Sequence, residues 1–102
     1  MIHVAATVEV RPGERDAVIA DLATLAPKIK AEEGCLEYLV ATEIPTKLPA
    51  QAPPRDNVIV TLERWRTLKD SEAHLRAPHM VKFVERNLDR IVKATLQILK
   101  SQ

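Results

Sequence analysis

Few side chains in this sequence can do chemistry. Three histidines (His3, His74, His79), one cysteine (Cys35), one tyrosine (Tyr38) and one tryptophan (Trp65) stand among fifteen basic and fourteen acidic residues. Histidine changes charge near neutrality and is the commonest general base. His74 therefore carries two readings: a base inside a pocket, or a half-buried imidazole that hydrogen-bonds across to a strand end. His79 lies five residues further on. On a helix that step turns through about 500°, or 140° around the axis, so the two rings do not face one ion as an i, i+4 pair does. No metal is expected. His79 follows a proline and reads as a capping or surface group that could border a substrate, and His3 is given no role.

Glu63 and Trp65 are two residues apart in a strand-like run and so share a face. A carboxylate on an apolar face needs a partner, which the neighbourhood of Arg64, a helix histidine or a second protomer could supply. Structural pairing and proton transfer both remain open for Glu63. Trp65 fills a core by default, or offers a flat wall to an aromatic ligand. The Tyr38 hydroxyl could orient a ligand oxygen or satisfy a backbone carbonyl. Leu62 and Phe83 complete the expected pocket wall. Cys35 has no His or Asp in its local pattern and reads as a buried filler, not a nucleophile. Lys82, Arg86 and Arg90 alternate with Glu85 and Asp89, the pattern of a solvated helix face.

The elements that must position these groups follow from periodicity. Ile2, Val4, Ala6, Val8 and Val10 alternate with more polar residues and predict a strand, stopped by Pro12-Gly13. Val18, Leu22, Leu25 and Ile29 form a single helical stripe. Pro27 should kink or loosen the end of that helix, and Gly34 is placed for a left-handed cap. Residues 35–43 read as a second strand, with Leu36, Tyr38 and Val40 on one face and Cys35, Glu37, Leu39 and Ala41 on the other. Four prolines make 44–56 a long loop, expected at a dimer edge or over a pocket mouth. Residues 57–65 form a third strand. Thr67 caps a second helix, which Pro78 interrupts or restarts, with Met80, Val84, Leu88 and Ile91 as its stripe. Val92, Ala94, Leu96 and Ile98 alternate in a last strand. The order β-α-β-β-α-β is the ferredoxin-like α+β pattern, a four-stranded antiparallel sheet with its helices on one face. The other sheet face is apolar with nothing left to cover it, which predicts a homodimer.

Composition narrows the function classes. At 102 residues, 46% hydrophobic and 28% charged, the chain reads as one domain over 1–102. A net charge of +1 and three aromatic residues supply neither a basic field nor a stacking platform for nucleic acid. No apolar run is long enough to span a membrane. One cysteine excludes an internal disulfide, and the expected compartment is the cytoplasm.

Three runs resemble a known family: Glu32-Glu33-Gly34-Cys35-Leu36-Glu37-Tyr38, then Glu63-Arg64-Trp65, then Ala73-His74-Leu75-Arg76-Ala77-Pro78-His79-Met80. In that order, and with the ending Leu96-Gln97-Ile98-Leu99, they are similar to the antibiotic biosynthesis monooxygenases, and within them to the quinol monooxygenases. The resemblance implies a homodimer whose two sheets form a dimeric α+β barrel. It also implies oxidation of a quinol or related electron-rich phenol by O₂ without a cofactor. Haem-degrading relatives of this architecture place an asparagine late in the first strand and a histidine in the second helix. They also end the third strand on a tryptophan, which Trp65 matches, but Thr7 and Val84 stand near the other two positions, so haem chemistry is not expected. Within the quinol reading, His74 is the expected base, paired with Glu63, and Tyr38 the orienting donor; Trp65, His79, Leu62 and Phe83 hold the substrate. The rival reading is a non-catalytic dimeric barrel that binds a small hydrophobic molecule.

Overall fold

Strand β1 (Ile2–Val10) buries Val4, Ala6 and Val10 on one side, as its alternation requires. A turn at Gly13, held at φ 84°, leads into helix α1 (Arg15–Lys30). The α1 stripe Val18, Leu22, Leu25 and Ile29 is buried, as expected. Pro27 does not end the helix, which runs on to Lys30 and closes with the Ala31 amide donating to the Pro27 carbonyl at 3.2 Å. The missing proline N–H costs one bond near a helix end, and the buried Ile29 offsets it. The computed structural model describes all 102 residues.

Gly34 has φ 79° and packs so tightly on the next layer that a Cβ there would sit 2.1 Å from the Asp70 carboxylate. Strand β2 (Cys35–Ala41) follows. Its pairing with β3 (Val58–Trp65) shifts between Cys35 and Glu37. This bulge overturns the expected face assignment: Cys35 joins Tyr38 and Val40 against the core, while Leu36 is exposed. An extra residue in one strand reverses the alternation on one side of it. The 42–57 connection is exposed along most of its length. The Glu43–Arg55 ion pair closes its base at 2.7 Å, and Gln51 hydrogen-bonds to Thr46 and the Ile44 carbonyl within it.

The second helical region is two helices. Thr67 caps α2 (Leu68–Leu75) by accepting from the Asp70 amide at 3.1 Å. Pro78 then opens α3 (Pro78–Arg86) at a first-turn position, where its missing N–H is no loss. The expected stripe through Met80, Val84, Leu88 and Ile91 does not lie on one helix, although all four residues line one cavity between sheet and helices. Phe83 is the buried residue of α3, whereas Val84 and Leu88 are 49% and 65% exposed. Leu88 lies past the end of α3 and Ile91 opens β4 (Ile91–Lys100), so those residues never share one helix.

The sheet order is β2-β3-β1-β4 with every neighbouring pair antiparallel. The helices lie on one face, leaning over β2 and β3. This is the ferredoxin-like arrangement with its second helix split. Edge strand β4 is left bare: nine of its ten residues are exposed.

Candidate active site between sheet and helices

A cavity of about 240 Å³ opens between the sheet and α2–α3. Its wall is apolar apart from Thr61, Glu63 and His74. The half-exposed Leu75, Val84, Leu88 and Leu96 border it, so its open flank lies toward α3 and β4. Its size falls just below the roughly 300–1,000 Å³ of sites for drug-sized ligands, which suits one or two fused rings.

His74 comes from the last turn of α2 and is buried to 4% exposure. Its partner is not Glu63, as the sequence led us to expect, but Glu32, in the turn after α1. Both Glu32 oxygens lie near His74 Nδ1, at 2.9 and 3.1 Å. His79 Nε2 reaches the same carboxylate at 2.8 Å. A carboxylate only accepts, so both ring nitrogens donate. The expected divergence of the two histidines fails because the chain breaks between α2 and α3, which turns both rings onto one carboxylate. No three metal-ligating side chains are placed to hold an ion.

Glu63 lines the cavity directly across the strand pair from Tyr38. Its two oxygens are occupied: Oε1 accepts from Trp65 Nε1 and Oε2 from Thr61 Oγ1, each at 2.8 Å. Trp65 is fully buried and does not border the cavity. Held by Glu63, its ring backs His74, with centroids 4.9 Å apart. His79 also stands outside the lining, behind Glu32. Contrary to expectation, Leu62 does not line the cavity. It projects from the opposite sheet face, 43% exposed, because neighbouring strand residues alternate sides and Glu63 points inward. Phe83 and Tyr38 do line the cavity.

His74 and Tyr38 both line this space, and each carries a polar atom without a partner in the chain. His74 Nε2 has no hydrogen bond within the chain, and neither has the Tyr38 hydroxyl, yet neither is sealed from solvent. Burial first, then the Glu63 and Glu32 carboxylates, push the Tyr38 phenol well above its ordinary value, so it stays a protonated donor. Burial and the same two carboxylates also raise the Cys35 thiol, which keeps it from acting as a thiolate. A neutral imidazole donating through Nδ1 leaves an acceptor lone pair on Nε2. The arrangement thus sets an imidazole and a phenol hydroxyl on the wall of one apolar space.

The profile of the family described as Antibiotic biosynthesis monooxygenase (ABM) matches residues 1–86. The chain belongs to this family. It is 29% identical over 102 residues to the Escherichia coli K12 protein named "Probable quinol monooxygenase YgiN", covering 98% of this chain and 97% of that one. The crystal structure of PA3566 from Pseudomonas aeruginosa superposes with a TM-score of 0.79 at 22% identity, covering 99% and 93% of the two chains. Rv0793 from Mycobacterium tuberculosis gives 0.79 at 20% identity, covering 99% and 94%. Those two likenesses establish the ABM chain's fold. Glu32 is the site residue that sequence reasoning missed. Its signal was an acidic residue just past a helix C-terminus, where the macrodipole disfavours negative charge and some other partner is needed.

Proposed function

We propose that this ABM protein is a cofactor-independent monooxygenase that oxidises a quinol, or a related electron-rich phenol, with O₂. The observation that carries this reading is that His74, whose Nε2 has no partner in the chain, and Tyr38, whose protonated hydroxyl has none, line one apolar cavity. An aqueous phenol ionises near pH 10, and its anion transfers an electron to O₂ far more readily than the neutral form. His74 Nε2 takes the quinol hydroxyl proton, and Tyr38 donates to the oxygen on which negative charge develops. Electron transfer to O₂ and recombination at a ring carbon form a C–O bond. Loss of water from the resulting hydroperoxide, with the proton returned by His74, leaves a ring carbonyl that tautomerises to a hydroxyquinone. Quinol plus O₂ therefore gives hydroxyquinone plus water, and the substrate supplies all the electrons. Phe83, Met80 and Leu22 on the cavity wall exclude water from the anion.

The working form in this reading is a homodimer with its site in the cytoplasm. Strand β4 exposes Val92, Leu96, Ile98 and Leu99, and the outer sheet face exposes Leu39 and Leu62. A long apolar edge strand bare on both faces invites another chain, and a second copy is the most economical cover. The test is O₂ uptake with menadiol by metal-stripped protein, corrected for autoxidation. Excess uptake is expected; none across a panel of quinols, with saturable binding retained, would make the protein a ligand-binding module.

A further inference from the structure

We propose that Glu32 is the positioning residue of this site, holding His74 in the Nδ1–H tautomer so that the Nε2 lone pair faces the cavity. The inference rests on the quinol monooxygenase reading for its kinetic consequence, but not for its geometry. Glu32 lies in the turn between α1 and β2, with its side chain 13% exposed. No lysine or arginine pairs with it; its ionic partners are His74 from α2 and His79 from α3. Three separate segments therefore converge on a single carboxylate.

The two histidines do different work there. Glu32 approaches His74 with both oxygens, which fixes the ring's orientation as well as its tautomer. His79 donates to Oε2 alone at 2.8 Å and restrains a side chain that would otherwise be free to rotate. Behind the His74 ring the indole of Trp65 blocks a flip toward the core, and Trp65 is in turn fastened by Glu63. When Nε2 accepts the quinol proton, the imidazolium that forms already faces a negative charge on its other side. The Nδ1 proton stays on the ring throughout, so Glu32 orients and stabilises without exchanging a proton with substrate.

The test records side-chain ¹⁵N spectra of the histidines in wild type and Glu32→Gln, well above the ordinary histidine value of about 6.5. Menadiol kcat and KM are measured on the same samples. Wild-type His74 should show a single Nδ1–H tautomer, and Glu32→Gln a mixture. The kcat of Glu32→Gln should fall by roughly 10²–10⁴ with KM little changed, as expected when a general base is misoriented. Glu32→Asp, which keeps the charge, should recover part of that loss. A role confined to tying helices together would move melting temperature and leave tautomer and kcat of the folded protein as they were. A wild-type His74 found mainly as Nε2–H overturns the proposal, even if Glu32→Gln does not fold. So does an unchanged kcat in a folded Glu32→Gln variant. A wild type that locks His74 through Glu32 but oxidises no quinol upholds the positioning role and removes the monooxygenase reading instead.

Discussion

His74→Gln keeps the size of the side chain and one hydrogen bond while removing the titrating nitrogen. Menadiol turnover should fall by roughly 10²–10⁴, the usual contribution of a general base, with a small change in melting temperature. Unchanged turnover per folded molecule would take the base away from this residue. Tyr38 makes a separate, thermodynamic prediction. Its hydroxyl is held protonated in the fold by burial, and then by the Glu63 and Glu32 carboxylates. A folded value above the unfolded one favours the native state fully below the unfolded value and less as pH rises past it. Wild type should therefore lose stability above about pH 10, and Tyr38→Phe, which has nothing to ionise, should lose less. Urea unfolding across that range, with matching slopes for both proteins, would contradict the account. The types of these residues were legible in sequence. Their partnerships were not: Glu32 meets His74 across 42 residues of chain, a contact that no local spacing encodes.

Asn87, just past α3, is fully buried and joins the helices. Its side-chain amide donates to Asp21 of α1 at 2.7 Å and to the Phe83 carbonyl at 2.8 Å, and its oxygen accepts from Arg90 at 3.1 Å. Arg86 adds a two-pronged contact to Asp21, and its hydrogen bond leads the causes that lower the Asp21 carboxyl below its ordinary value. Asn87→Ala removes three hydrogen bonds and leaves a void at a fully buried position, and should cost about 1–3 kcal/mol in chemical denaturation; a cost near zero would mean that the network is dispensable. At this scale the sequence was most informative where one rule acted alone. The α1 stripe and the β1 alternation could be read directly. Pro78 also marked the helix break directly, whereas the bulge at Cys35 was misread. The bulge interrupts the period of two, and an alternation counted across it assigns residues to faces they do not occupy.

The whole molecule is thin on one side. Its helices cover β2 and β3, leaving β4, the open sheet face and the flank of the cavity bare. Light scattering at micromolar concentration should give twice the 11.4 kDa chain mass, and Leu96→Asp should shift it toward monomer by charging the exposed strand. A wild-type monomer would leave the bare strand unexplained. An apolar face could be anticipated from alternation, but the exposure of β4 on both sides could not, since it depends on where the helices lean. Quinol oxygenation itself is tested most directly with ¹⁸O₂ and menadiol, using metal-stripped protein and mass analysis of the product. The account predicts one labelled oxygen atom in a hydroxyquinone, formed above the autoxidation blank, with the second atom recovered as water. An unlabelled quinone with stoichiometric hydrogen peroxide, or no product above the blank, would contradict it.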